Sequence, residues 1–85
     1  MNQSQLKSVM KFHLNHFNDE GVAIDDDTLF QDVLSDVDGY GAANSSSIFK
    51  MLIRWTFKKN NHTDPSWPAG WMGMSVKDLA ARLLP

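Results

Sequence analysis

The amino-acid sequence predicts an all-α fold, a small bundle of four helices joined by long loops. Apolar residues recur at the i, i+3, i+4 and i+7 spacing of a helix face, and no segment alternates apolar and polar residues as a strand would. The chain has 85 residues, of which 42% are hydrophobic. This length suffices for one compact core and excludes a two-domain enzyme, so we expect residues 1–85 to form a single domain.

The first predicted helix covers residues 3–18. Its apolar face carries Leu6, Met10 and Leu14, while Lys7 and Lys11 lie elsewhere on its circumference. We expect it to end before the glycine at position 21, because a glycine just past a periodic run readily adopts the left-handed conformation that ends a helix.

A second, shorter helix is predicted at residues 28–36. It follows an acidic run and begins with Thr28-Leu29-Phe30-Gln31, a capping-box sequence in which the Thr28 hydroxyl and the Gln31 amide satisfy free backbone donors. Its buried residues would be Leu29, Phe30, Val33 and Leu34. Two closely spaced glycines then predict a loop over residues 38–43.

The third predicted helix covers residues 45–59 and follows Asn44, a residue type that caps helix N-termini. Most of its circumference is apolar, so we expect it to be the central helix of the bundle. Its expected core residues include Phe49, Leu52, Ile53 and Trp55. A narrow stripe is left for water, made of Lys50, Arg54 and Lys58.

The C-terminal quarter of the chain predicts an irregular stretch and then a last helix. Residues 60–73 contain prolines and glycines that break regular structure, and we expect Trp67 and Trp71 to fold back onto the core. The last helix, residues 75–84, starts with Ser75-Val76-Lys77-Asp78, another sequence of the capping-box type.

The composition excludes several functional classes. The chain has no Cys, which removes disulfide scaffolds, thiolate catalysis and thiolate-bound zinc. A net charge of -2 disfavours a general nucleic-acid binder, whose binding surface is usually basic. Because no apolar run resembles a signal peptide or a membrane span, we expect a cytoplasmic monomer that does not contact membranes.

Catalytic and metal-binding patterns are missing from the sequence. It contains neither a nucleophile elbow nor a glycine-rich phosphate loop, so we expect a non-catalytic module. His13 and His16 are spaced i, i+3, and His62 is a remote third candidate ligand. Because this spacing matches no zinc motif, we expect no metal site.

The charge is distributed unevenly along the chain. Residues 19–38 hold eight acidic and no basic residues, whereas residues 50–59 hold four basic and no acidic residues. One interpretation is that these are solvated helix faces. The other is that the basic stripe docks a partner of opposite charge, with a surface made of Lys50, Arg54, Lys58, Trp67 and Trp71. A DNA-binding regulator would have to use the same stripe.

Three serines, Ser45, Ser46 and Ser47, open the third predicted helix. Serine is common at this position because its side chain caps free backbone donors. A hydroxyl at a helix N-terminus also lies near the positive end of the helix dipole, where a phosphate ester is stabilised.

The order of elements and three segments resemble the acyl carrier protein family. The segment Asp26-Asp27-Thr28-Leu29-Phe30-Gln31-Asp32-Val33 is similar to the family's "D-D-x-x-F-x-x-D-L". Gly41-Ala42-Ala43-Asn44-Ser45 resembles a distorted "G-x-D-S-L", and residues 75–83 resemble its closing "T-V-x-D-L" helix. The resemblance implies a carrier fold in which Ser45, rather than Ser46 or Ser47, bears phosphopantetheine and, through its thiol, an acyl or aminoacyl group.

The sequence departs from this family around the serine. Asn44 stands where the family has an acid, and Ser46 stands where it has a leucine. The helix that follows is basic, whereas carriers usually present an acidic helix, so we expect the partner protein to have an acidic docking face. Two hypotheses follow, a carrier that uses Ser45 and a cofactor-free interaction adaptor or regulator of the same fold.

Overall fold

The structure is a computed structural model that describes residues 1–36 and 44–85. These residues form three α-helices, α1 (Gln3–His16), α2 (Ser45–Lys59) and α3 (Val76–Leu83). Two short 3-10 turns, Phe30–Asp32 and Trp71–Gly73, lie in the connections. The described residues form no strand, only an isolated bridge between Leu29 and Ser75, so the all-helical prediction is confirmed. No helix in these two ranges has the length and hydropathy needed to span a membrane.

The second predicted helix, at residues 28–36, is wrong, because this segment contains only the 3-10 turn Phe30–Asp32. The Thr28 hydroxyl accepts a hydrogen bond from the Asp25 N–H at 2.8 Å and donates to the Ala23 carbonyl at 3.0 Å. Thr28 therefore folds the preceding loop back on itself instead of capping a helix. The described chain is a three-helix fold with long connections, and the loop predicted at residues 38–43 lies outside the described residues.

Each α-helix begins at a side-chain cap, and the caps of α2 and α3 are the ones that the sequence predicts. Asn2 and Gln5 form a reciprocal capping box at α1, with both hydrogen bonds 2.9 Å long. Asn44 caps α2 by accepting from the Ser47 N–H at 2.8 Å, and Ser75 caps α3. The observed ends of these helices agree with the predicted ones to within two residues.

An aromatic cluster packs both 3-10 turns, one from the chain between α1 and α2 and one from the chain between α2 and α3, against α2. The Phe30 ring lies 5.3 Å from the Phe49 ring and 5.4 Å from the Trp71 ring, and Trp71 stacks on Phe49. Trp67 packs edge-on against Trp71, with ring centroids 5.3 Å apart. Both tryptophans are partly buried against the core, which confirms that they fold back onto it.

The central helix is α1 rather than α2, which corrects the prediction. α1 contacts both of the other α-helices, and Leu6, Met10 and Leu14 are fully buried on it. α2 buries only one side, whose residues are Ser46, Phe49, Ile53 and Phe57. Trp55, expected in the core, is 60% exposed, because α1 and the aromatic residues of the connections pack against only one side of α2.

We expect Phe30→Ala to lower the free energy of unfolding by about 3–5 kcal/mol, because it removes a fully buried ring and leaves a cavity. Urea denaturation followed by circular dichroism measures this change. Phe12→Ala is the matched control, since the Phe12 ring is 63% exposed, and it should shift stability by no more than about 0.5 kcal/mol. Equal effects of the two substitutions would contradict this account of the core.

Candidate functional site

The outer face of α2 carries an exposed aromatic residue among basic side chains. Trp55 is two residues from both Ile53 and Phe57, so it projects from the opposite side of the helix, about 160° to 200° around the axis. Met51, one turn earlier, is 49% exposed. We call this surface the Trp55 face, made of Ser47, Lys50, Met51, Arg54, Trp55 and Lys58.

Two open cavities lie on the Trp55 face, and both are lined in part by Arg54 and Trp55. The first, of about 340 Å³, is completed by Ser47, Lys50 and Met51. The second, of about 320 Å³, is completed by Lys58, His62 and Asp64. Arg54 and Trp55 therefore separate two concave regions, each of which can accept a side chain.

The charge of the Trp55 face is only partly compensated within the described chain. The Arg54 Nε atom lies 3.8 Å from the Asp64 carboxylate, a long pair between two exposed groups that contributes little. The Lys50 ammonium lies 5.4 Å from the centroid of the Trp67 ring, within cation–π distance. No carboxylate of residues 1–36 or 44–85 forms an ion pair with Lys50 or Lys58.

The structure brings together four of the five residues predicted to bind a partner. Lys50, Arg54 and Lys58 share the outer side of α2, and Trp67 is joined to them through Lys50. Trp71 points inward onto Phe49. The exposed aromatic residue of this face is Trp55, which the sequence predicts in the core instead.

The three N-terminal serines of α2 differ in their surroundings. The Ser45 hydroxyl accepts from the Ser35 N–H at 2.8 Å and lies 3.4 Å from the Ser35 carbonyl. Ser46 is buried and donates to the Asn44 side chain, whereas Ser47 is exposed. Ser45 is thus the first residue of the helix, as the carrier resemblance implies. Its hydroxyl oxygen, however, is hydrogen-bonded to the backbone of the chain between α1 and α2. Phosphopantetheine would fit only if this contact rearranged.

The predicted histidine candidates form two separate groups. The Phe12 ring lies 5.5 Å from His13 and 5.0 Å from His16 on α1. Partial burial and the nearby His16 lower the pKa of His13. His62 packs against Phe57 instead, and the described residues contain no group of three or more ligand side chains arranged to hold a metal.

The acidic segment divides into a paired part and a part that lines a cavity. Asp26 binds Lys11 at 2.9 Å and Lys7 at 3.0 Å, and Asp27 binds Lys77 at 2.7 Å. Other acids line a cavity of about 360 Å³ between the end of α1 and the first 3-10 turn. We call it the acidic cavity, lined by Phe17, Asp19, Glu20, Asp32 and Val33 among others.

Comparisons with protein-family models, with curated proteins and with solved structures find no match to this chain. The resemblance to acyl carrier proteins therefore stays a prediction carried by the sequence segments quoted above.

The ion pairs of Asp26 predict a pH-dependent contribution to stability. Hydrogen bonds from Lys11 and Lys7 hold the pKa of this carboxyl below its usual value, so the folded state favours the ionised form. The contribution is present above the usual carboxyl pKa of about 3.9 and is lost as the pH falls through the lower pKa of the folded state.

We therefore expect Asp26→Asn to destabilise the protein at pH 7 and to approach wild-type stability in strong acid. Thermal unfolding across this pH range measures the difference. Glu20→Gln, which removes the same charge from an exposed site outside the observed ion pairs, is the control. A constant difference between wild type and Asp26→Asn at all pH values would contradict the linkage.

Proposed function

We propose that this protein is a non-catalytic docking module that binds a partner protein through the Trp55 face. The observation that carries the proposal is the exposure of Trp55, 60%, between two cavities and among three basic side chains. Tryptophan and arginine are the residue types that most often dominate binding energy at protein interfaces. An exposed aromatic with an open cavity on each side is a ready anchor for a partner.

The chemistry of the face defines the partner's surface. Lys50, Arg54 and Lys58 favour acidic side chains, which steer association and fix its register. Met51 and Trp55 favour apolar side chains that enter the two cavities. The partner thus presents acidic and apolar side chains together, as an acidic amphipathic helix does.

A labelled acidic amphipathic peptide of Glu and Leu tests this function by fluorescence anisotropy. We expect wild-type protein to bind it and Trp55→Ala to bind about 30-fold more weakly, the loss typical of an interface hot spot. Phe12→Ala, which removes an exposed ring from α1, should leave the affinity unchanged. Raised ionic strength should weaken binding, since the ion pairs are at the surface.

Two control probes complete the experiment. A peptide with Lys in place of every Glu tests the charge requirement, and one with Ser in place of every Leu tests the apolar requirement. Binding of the Lys peptide as tightly as the Glu peptide would overturn the proposal, and so would wild-type affinity of Trp55→Ala. Random-sequence duplex DNA is the third probe, and salt-dependent binding to it would favour a DNA-binding regulator instead.

The position of Ser45 favours a second candidate function, that of a carrier. Ser45 is the first residue of α2, the position at which the resemblance to acyl carrier proteins implies the modified serine. Phosphopantetheine esterified there would supply a flexible thiol for an acyl or aminoacyl thioester. The hydrogen bonds between Ser45 and Ser35 count against this candidate, because the hydroxyl is already engaged.

Intact mass after incubation with coenzyme A and a promiscuous phosphopantetheinyl transferase tests the carrier function. A carrier gains one phosphopantetheine, and Ser45→Ala abolishes the gain while Ser47→Ala retains it. An unchanged mass of the wild-type protein would reject the carrier and leave the docking function in place. Circular dichroism of both variants shows whether the fold is retained.

A further inference from the structure

The acidic cavity and the Trp55 face are complementary in shape and charge. The face projects an exposed indole flanked by Lys50, Arg54 and Lys58, whereas the cavity is concave and is lined by Asp19, Glu20 and Asp32. We propose that the chain self-associates head to tail, with the Trp55 face of one copy seated in the acidic cavity of a second copy. This inference rests on the proposed docking function and names one partner for it.

The acidic cavity offers an apolar surface as well as charge. Phe17 and Val33 line it and are partly buried against the core, so they form a firm apolar wall. The cavity also lies at the C-terminal end of α1, where the negative end of the helix dipole attracts cations. Its volume of about 360 Å³ accommodates a large side chain such as that of Trp55.

The charges on the two surfaces favour this arrangement over a symmetric dimer. Two Trp55 faces brought together would set Lys50, Arg54 and Lys58 against the same residues of the second copy, which is repulsive. In the cavity these bases meet Asp19, Glu20 and Asp32, none of which forms an ion pair with a base in the described part of the chain.

A head-to-tail contact and a symmetric contact differ in the number of copies that they can assemble. Each copy that uses its Trp55 face still has a free acidic cavity, so association continues beyond two copies unless the ring closes. The sequence predicts a monomer. We expect instead that the chain is monomeric only at low protein concentration and assembles as the concentration rises.

Sedimentation equilibrium of the full chain tests this inference. In low salt the weight-average mass of wild-type protein should rise above the 9.6 kDa of one chain with increasing concentration, and added salt should reverse the rise. Phe12→Ala should behave as wild type. A mass that stays at one chain up to millimolar concentration in low salt would overturn the inference.

A mixing experiment separates the head-to-tail contact from any symmetric one. Trp55→Ala keeps only the acidic cavity, and the triple variant Asp19→Asn, Glu20→Gln, Asp32→Asn keeps only the Trp55 face. Each should be monomeric alone, and an equimolar mixture should give a dimer of twice 9.6 kDa, because each copy supplies one working surface. Lys58→Glu is a second face variant, to be used in place of Trp55→Ala if that protein does not fold.

The outcomes distinguish this inference from the docking function on which it rests. Failure of the mixture to form a dimer, or wild-type association by the triple variant, overturns the head-to-tail contact. If the Glu and Leu peptide nevertheless binds in a Trp55-dependent way, the docking function stands and its partner is a different protein. If that peptide does not bind either, both proposals fail together.

Discussion

The rest of the fold depends on the packing of the buried Phe30 ring against Phe49 and Trp71. An 85-residue chain with three α-helices in its described part has little apolar surface to spare, so its connections must contribute to the core. The 3-10 turn places Phe30 between Phe49 and Trp71, and the backbone beside it is held by hydrogen bonds between Thr28 and Val76 and between Phe30 and Met74. One aromatic ring thereby joins both long connections to α2.

This arrangement also determines which surfaces are left open. Before Phe30, Asp26 binds lysines of α1 and Asp27 binds a lysine of α3, so the charges of these two carboxylates are compensated within the molecule. No comparable segment of the described chain crosses the outer side of α2, and Met51 and Trp55 stay exposed there beside lysines that have no acidic partner in that part of the chain. The connections thus complete the core on one side of α2 and leave the candidate docking surface on its other side uncovered.

Local signals in the sequence predicted the helices well and the site in part. Caps at Asn44 and Ser75 and the apolar periodicity are properties of neighbouring residues, so they can be read without tertiary information. The helix predicted from Thr28 does not form, because a hydroxyl before an apolar run favours a loop turn as readily as a helix cap. The exposure of Trp55 could not be predicted from the sequence. Because α2 is apolar on several sides, only the packing of the other elements against it decides which side is buried.

The contact between α1 and α3 has a consequence for how the chain folds. These helices are the first and the last of the described elements, so the central helix gains one of its two partners only after a long loop has closed. Folding rates fall as the sequence separation of native contacts increases, and this topology is less local than that of a simple helical hairpin. Assembly of the core is accordingly a late, cooperative event, slower than the length of the helices alone would suggest.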